Sequence, residues 1–199
     1  MKTKREENRD DLKKRLVDAA EARIAAGGLS GLKARDVTAD AGCALGALYN
    51  VVEDLDRLIL LVNSRTLARL GAVLQAAVPE GATPKEVMAA LAQAYVGFAL
   101  ENTRLWSALF RHRLPDGVEV PEWHRAEHGV LIEQIIAPLS LLRPDLDAQM
   151  LRQRAGTVFA AVHGVVQLAL TGRFVGTPRA ALRQEVAALV DAMTRGLQG

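Results

Sequence analysis

The chain has 199 residues, of which half are apolar and 24% are charged, and its formal net charge is +2. This composition supplies a packed core and excludes disordered, collagen-like and low-complexity architectures, while the single cysteine excludes a disulfide framework and a cysteine-rich zinc module. Because no apolar run is long enough for a membrane span and the first seven residues lack a secretory apolar segment, we expect a cytoplasmic protein with no membrane partner.

The first sixty residues predict a basic arm and three helices. Residues 1–15 hold seven basic side chains against four acidic ones, whereas residues 16–60 hold four against seven. A first helix is expected from about residue 8 to 26, where Gly27-Gly28 stops it. Two short helices follow, and the turn between them contains Gly42, which suits left-handed backbone geometry.

The remaining elements also read as helices, because alanine and leucine are abundant and alternating strand patterns are absent. Asp54 is the expected N-cap of a long helix that ends near residue 77. Thr83-Pro84-Lys85-Glu86 combines a capping box with proline at the first helical position, and it predicts the start of the next helix. A further helix is expected around residues 105–110, followed by a loop over residues 115–121.

Three helices are expected in the C-terminal third. The first starts near residue 121, and Pro138 should end or kink it. Asp145 is the expected cap of a nearly all-apolar, deeply buried helix that reaches residue 170. Thr177-Pro178 is expected to open the last helix. The sequence therefore predicts an all-α fold of about nine helices, divided into residues 1–54 and residues 55–199.

Two short helices joined by a tight glycine turn are typical of a helix-turn-helix, whose second helix presents its N-terminal residues to the DNA major groove. Residues 37–58, V-T-A-D-A-G-C-A-L-G-A-L-Y-N-V-V-E-D-L-D-R-L, resemble the DNA-binding signature of TetR-family repressors. The resemblance extends over about residues 10–61, and L-W-S-A-L-F-R-H-R in the C-terminal part is similar to a TetR-type regulatory domain. It implies a homodimeric repressor that binds double-stranded operator DNA and responds to a small-molecule effector, with no cofactor and no enzymatic activity.

The resemblance also implies which residues meet DNA. Tyr49 is expected at a phosphate and Asn50 at a phosphate or a base edge, while Leu45 or Ala47 could contact a thymine methyl. Ala44 stands where the family usually has a capping Ser or Thr, and Leu55 replaces a phosphate-contacting lysine. We therefore expect binding that depends on the basic arm and on phosphate contacts. The expected DNA-contacting residues are Lys33, Arg35, Ala44, Leu45, Gly46, Ala47, Tyr49 and Asn50.

Aromatic and polar side chains in the predicted regulatory domain are candidates for an effector pocket, with ordinary core packing as the alternative. His163 and Gln167 lie one turn apart on an apolar helix and form the candidate polar pair, although a buried histidine or a dimer contact would give the same pattern. The expected pocket residues are Phe98, Trp106, Phe110, Trp123, Phe159, His163 and Gln167.

Small residues at every fourth position of one helix permit close helix packing and suggest a homodimer interface with the last helix, or alternatively an internal groove. The second helix of the helix-turn-helix, which we call the reading helix, would then occur twice. The two copies would lie about 34–36 Å apart, which is one turn of the DNA helix, or a multiple of that distance. The expected interface residues are Gly156, Ala160, Gly164, Val186, Leu189, Val190 and Met193.

Two other functions remain open at this point. His124-Arg125-Ala126-Glu127-His128 matches the H-x-x-E-H pattern of inverted zinc peptidases, so a zinc-binding helical enzyme is one alternative. The other alternative is a protein-interaction module that has lost DNA binding, because the reading helix carries few hydrogen-bond donors.

Overall fold

The computed structural model describes residues 3–172 and 176–196 of the chain. Within these residues the protein is all-α, and the expected count of about nine helices is confirmed. A short 3-10 turn at Leu29–Gly31 separates the first two helices. The helices are α1 (Lys4–Gly27), α2 (Ala34–Asp40), α3 (Leu45–Val52), α4 (Leu55–Ala76), α5 (Pro84–Glu101), α6 (Thr103–Arg111), α7 (Glu122–Leu142), α8 (Ala148–Leu170) and α9 (Leu182–Gly196).

The contacts divide the chain into two compact units. The first, which we call the N-terminal unit, comprises Met1–Ala68 and Arg104–His124. Its core forms because α1 carries a buried apolar residue at nearly every fourth position, and these residues pack against α2, α3, α4 and α6. The largest of its fully buried side chains are Trp106, Leu16, Ile24, Leu48, Leu58, Val37 and Val62.

The second unit, which we call the regulatory unit, comprises Arg69–Thr103 and Arg125–Gly199. Helix α5 packs against α8 and α9, and α8 also packs against α9. Buried Leu139 of α7 and Ala155 of α8 form the centre of a smaller apolar cluster. None of the helices in residues 3–172 and 176–196 combines the length and apolar character that a membrane crossing requires.

Several expected caps and stops are confirmed. Gly28 ends α1 with φ of 74° and Gly42 adopts φ of 66°, both in the left-handed region that glycine tolerates. Asp54 Oδ1 accepts a hydrogen bond of 2.6 Å from the backbone N–H of Arg57 at the start of α4. Thr83 and Glu86 form the predicted reciprocal capping box at the start of α5.

Two helix starts differ from the expectation because other residues cap these helices. Helix α1 begins at Lys4, four residues earlier than expected, since Thr3 and Glu6 form a capping box. Helix α8 is capped by Asp147, whose Oδ1 accepts from the backbone N–H of Met150 at 2.8 Å. Asp145 is not the cap, because both of its carboxylate oxygens accept hydrogen bonds from Arg143.

The last three helices also depart from the prediction. Helix α7 does not end at Pro138 but continues to Leu142, because the turn after the proline packs Leu139 against α8. The last helix begins at Leu182 and not at Thr177-Pro178, since residues 178–182 first form i to i+3 turns. Helix α8 is buried on one face only, while Ala160 and Leu168 remain exposed.

Candidate nucleic-acid interface and ligand cavity

Hydrogen bonds to backbone carbonyls stabilise the turn between α2 and α3. The N–H of Cys43 donates to the carbonyl of Thr38 at 3.0 Å, and the guanidinium of Arg15 on α1 donates to the carbonyl of Ala41. The side-chain hydroxyl of buried Thr38 is bonded back to its own helix. Because these bonds and the left-handed Gly42 set the turn, the direction in which α3 leaves α2 is well determined.

Helix α2 is also tied to α1 by charge. Arg23 donates to both carboxylate oxygens of Asp40, at 2.5 and 2.8 Å, and lies 3.5 Å from a carboxylate oxygen of Asp36. The hydrogen bond from Arg23 lowers the pKa of Asp40 below its ordinary value. These contacts of Arg23 hold α2 against α1. Because α3 packs against both helices, its position is supported by α1 and α2 together.

Helix α3 has a buried face and an exposed face. Leu48 and Val52 are buried in the core of the N-terminal unit. On the other side, Leu45 and Tyr49 are 36% and 50% exposed, and Gly46 and Asn50 are exposed as well. Ala47 is half-buried, whereas Ala44, the N-cap, is exposed and its side chain makes no capping bond. The expected reading residues of α3 therefore lie on or beside one accessible surface.

Two cations lie at the start of α2. Lys33 is its N-cap residue and Arg35 is in its first turn, and both are exposed. Neither cation forms an ion pair within the part of the chain that the structure describes. Their charges are therefore available to an anionic partner.

The connection from α3 to α4 is strained. Glu53 has φ of 72° and ψ of −58°, and the N–H of Asp54 donates to the carbonyl of Val52 at 2.9 Å, which closes a three-residue turn. A non-glycine residue in such a region costs about 1–3 kcal/mol. The chain therefore changes direction sharply directly after α3.

The end of α6 lies beside the start of α4. Nε2 of His112 is 3.5 Å from Oδ1 of Asp56, which is too long for a good hydrogen bond. Burial lowers the pKa of His112, although the charges of Asp56 and Asp54 oppose that shift. The histidine therefore favours its neutral form in the folded protein.

The regulatory unit contains a narrow cavity of about 40 Å³. Among the described residues, Tyr95 and Gln134 bring the only polar side-chain groups to its lining, and no charged side chain lines it. Tyr95 Oη is 2.8 Å from Nδ1 of His163, whose ring stacks on Phe159 with centroids 5.6 Å apart. Burial lowers the pKa of His163. The lining residues are Leu74, Met88, Leu91, Ala92, Tyr95, Leu131, Gln134, Ile135, Val158, Phe159, Val162 and Val190.

The predicted pocket residues are only partly gathered at this cavity. Phe159 lines it, and His163 reaches it through Tyr95. Phe98 is buried in α5 but lines a separate open groove, and Gln167 is not in the cavity wall.

Three of the predicted pocket residues, Trp106, Phe110 and Trp123, lie in the N-terminal unit and do not line this cavity. Trp106 is fully buried in the core of that unit, and its ring centroid is 5.2 Å from that of Phe110. Trp123 is 42% exposed and stands edge-on to His124. Helical periodicity predicts that these side chains lie on apolar faces, but it does not predict which part of the chain each face packs against. Sequence reasoning also missed Gln134, because a polar residue beside Glu133 reads as surface.

The predicted interface residues divide in a similar way. Ala160 is exposed and Gly156 and Gly164 are half-buried on the outer face of α8. On α9, Leu189 and Met193 are half-buried. The side chains of Val186 and Val190 are 0% and 2% exposed, because they are buried in the chain's own packing.

The zinc pattern has little support from its surroundings. His124 is buried, and its Nδ1 is 3.5 Å from Oγ of Ser64. The side chain of His128 lies outside the described residues. In residues 3–172 and 176–196, no group of three or more histidine, cysteine, aspartate or glutamate side chains is arranged to hold a metal ion.

Comparison with known proteins identifies relatives at the level of family and fold. The family model described as "Tetracyclin repressor-like, C-terminal domain" matches residues 88–193. None of the curated proteins compared with the sequence matches it. A protein of unknown function from Rhodococcus sp. RHA1 is 26% identical, with a TM-score of 0.75 over 94% of this chain and 96% of that one.

Two further solved structures share the fold at lower identity. The TetR family transcriptional regulator PfmR from Thermus thermophilus is 18% identical, with a TM-score of 0.61 over 93% of this chain and 100% of that one. The transcriptional regulator FadR from Bacillus subtilis, solved in complex with stearoyl-CoA, is 16% identical, with a TM-score of 0.67 over 89% of this chain and 96% of that one.

Proposed function

Since the chain belongs to the TetR family of transcriptional regulators, we propose that it is a repressor that binds a palindromic operator as a homodimer and releases the DNA when a small molecule binds. In this proposal it acts in the cytoplasm and catalyses no reaction. Residues 1–54 carry DNA binding, and the rest of the chain carries dimerisation and the effector response.

The observation that carries the proposal is the exposed face of α3. A carbon atom added at Gly46 would meet nothing within 4 Å in the described part of the chain, so the fold does not require glycine there. Glycine within a helix is less stable than alanine by up to about 1 kcal/mol. Close approach of another molecule's backbone is a physical reason to keep it.

The N-terminus of α3 supports the same proposal. The first N–H groups of a helix lack intrahelical partners, and Ala44 provides no side-chain acceptor for them. Such a terminus favours a phosphate oxygen, which accepts from the N–H groups and meets the positive end of the helix dipole. Tyr49 and Asn50 extend the surface along α3, and Lys33 and Arg35 add positive charge at the start of α2.

The basic arm, residues 1–15, carries positive charge, but some of its cations already form ion pairs within α1. Lys14 and Arg15 are already paired with Asp18 and Asp11 on the same helix, at 2.9 and 3.1 Å. We therefore expect Lys33 and Arg35 to contribute more to phosphate binding than these two residues do. Each phosphate neutralised on duplex DNA steepens the dependence of log affinity on log salt by about 0.9.

The experiment is a salt-titrated binding assay with the full chain and labelled DNA that flanks its own gene, with unrelated DNA as competitor. We expect selective binding and a steep salt slope. Asn50→Ala should weaken binding to the selected DNA, while Gln184→Ala, an exposed amide on α9, should leave it unchanged. If the protein binds the flanking DNA no better than the competitor DNA, the next step is to select bound fragments from the whole genome. Failure to enrich any genomic fragment would contradict the proposal.

A further inference from the structure

The first two turns of α1 extend beyond the core of the N-terminal unit. That core begins at partly buried Leu12 and fully buried Leu16, whereas every residue from 3 to 11 is exposed. We call residues 4–11 the overhang of α1. At a rise of 1.5 Å per residue, the overhang is about 12 Å long. Its helical form therefore holds its side chains in fixed directions outside the packed unit.

The contacts of α1 show where the overhang lies in this unit. Near the C-terminal end of α1, Arg23 forms ion pairs with Asp36 and Asp40 of α2. Two turns earlier, Arg15 donates to the carbonyl of Ala41, in the turn that leads into α3. Toward its N-terminus α1 therefore passes from α2 to this turn, and the overhang continues beyond the place where α3 begins.

A row of cations on α1 continues the side of the helix that faces the core. Arg5, Arg9, Lys13 and Val17 follow one another at steps of four residues, so their side chains lie along one side of the helix. Val17 is 4% exposed and belongs to the core, whereas the three cations before it are exposed. We call Arg5, Arg9 and Lys13 the cationic row. It points to the side on which α2 and α3 pack, at a level where no core remains to cover it.

The chain does not neutralise the charge of the cationic row. None of its three side chains forms an ion pair with any residue that the structure describes. Lys14, the next residue, shows the contrast, because it pairs with Asp18 at 2.9 Å. Glu6 lies beside the row, but its carboxylate accepts hydrogen bonds from the N–H and the hydroxyl of Thr3 in the cap of α1. Since like charges four residues apart destabilise a helix, an anion from another molecule would stabilise this row.

We propose that the cationic row binds the phosphates of duplex DNA beside the contacts of α3. The inference rests on the proposed function and adds a second surface to it. Arg5 and Lys13 are about 12 Å apart along the helix axis, and each strand of DNA carries a phosphate about every 3.4 Å of its own axis, so each cation has a phosphate within reach. Contacts to phosphates carry no sequence information, so the row strengthens binding to every sequence alike.

The test measures how the affinity of the full chain for labelled duplex DNA depends on salt, by fluorescence anisotropy. The triple variant Arg5→Gln/Arg9→Gln/Lys13→Gln should reduce the slope of log affinity against log salt by about 2.7, because each lost phosphate contact removes about 0.9. Its affinities for the selected DNA and for an unrelated duplex should fall by the same factor. The ratio of these two affinities should therefore equal that of the wild type.

The control is Lys14→Gln, which removes a cation from the same helix whose charge is already paired with Asp18. It should change the slope much less than Arg9→Gln, which alone should change it by about 0.9. Because glutamine removes repulsion within the row, the triple variant should unfold at no lower temperature than the wild type, as followed by circular dichroism. An unchanged slope in the triple variant and in Arg9→Gln, equal changes in Arg9→Gln and Lys14→Gln, or a changed affinity ratio would each overturn the inference.

The outcome is separable from the proposed function. Because the slope can be measured on an unrelated duplex, a protein that recognises no operator can still show the predicted change in the triple variant. Conversely, selective operator binding by the wild type, together with an unchanged slope in the triple variant, would overturn the role of the cationic row and leave the proposed regulator intact.

Discussion

Gly46 is the second residue of α3 and is exposed on the surface that we assign to DNA. No atom of the described residues lies within 4 Å of the position that a Cβ would occupy. Packing and backbone geometry therefore give no internal reason for glycine. If DNA is the reason, stability and DNA affinity should respond to a substitution in opposite directions.

Gly46→Ala should raise the free energy of unfolding by about 0.5–1 kcal/mol, because alanine is the better helix residue and restricts the unfolded chain. The added methyl group should weaken DNA binding at least about fivefold, as expected for an overpacked contact. Urea unfolding and fluorescence anisotropy with labelled DNA measure the two effects.

The matched control is Gly129 of α7, a helical glycine whose Cβ would also meet nothing within 4 Å among the residues described. Gly129→Ala should stabilise the protein to a similar degree and leave DNA affinity unchanged. Equal DNA affinity in wild type and Gly46→Ala would contradict the assignment of this surface.

His163 gives a prediction for pH. Because burial lowers its pKa in the folded state, the unfolded chain binds a proton more readily once the pH falls below the ordinary value of 6.5. The stability that His163 contributes is therefore present above pH 6.5 and decreases as the pH falls toward the folded-state pKa. His163→Gln should make the unfolding free energy less dependent on pH between 7 and about 5.

Urea unfolding across this pH range tests the prediction, with tryptophan fluorescence as the probe. His112 also has a lowered pKa, but it is present in both proteins and its contribution cancels. An identical pH dependence in wild type and His163→Gln would show that the two states bind protons at His163 alike.

At the scale of residues, the sequence was more informative about the reading helix than about the cavity. The resemblance assigned Tyr49 to DNA, and in the structure Tyr49 is exposed while its neighbour Leu48 is buried. Gln134 of the cavity wall could not be found in this way, since its amide donates to the carbonyl of Gly71, which is 63 residues away in the chain. Long-range contacts of this kind are not encoded in local periodicity.

Among the helices, caps decide where the elements begin. Asp147→Ala removes the side-chain acceptor at the start of α8 and should lower the free energy of unfolding by about 1 kcal/mol. Asp145→Ala removes an exposed pair with Arg143 and should have a much smaller effect. Chemical unfolding of both variants compares the two roles, and equal losses would contradict the assignment of the cap.

The errors in helix boundaries have identifiable causes. Thr3-Lys4-Arg5-Glu6 carries the capping-box pattern, so the sequence itself contains a local signal for the start of α1 at Lys4. The choice between Asp145 and Asp147 was not readable, because it depends on which carboxylate Arg143 engages. The passage of α7 through Pro138 depends on packing against α8, which only the folded chain supplies.

The proposed function requires two reading helices on one operator, which a single copy cannot supply. The outer face of α8 is suited to a second copy, since Ala160 is exposed between two half-buried glycines one turn away on either side. Ala160→Glu should therefore dissociate the dimer, because it buries a carboxylate without a partner. Sedimentation velocity measures the change in mass.

The control is Ala89→Glu, at an exposed alanine of α5. It adds the same charge to a helix surface outside the proposed interface and should leave the mass unchanged. A wild-type monomer, or an Ala160→Glu variant with the wild-type mass, would contradict this interface.

The most direct test of the central claim is selection of genomic fragments by the full chain, followed by footprinting of the enriched site. The account predicts an inverted repeat with two protected segments, whose centres lie about 10–10.5 base pairs apart or a multiple of that distance. It also predicts that Asn50→Ala weakens both protections together. A single protected segment would contradict the paired reading helices, and the absence of any enriched fragment would contradict DNA recognition by α3.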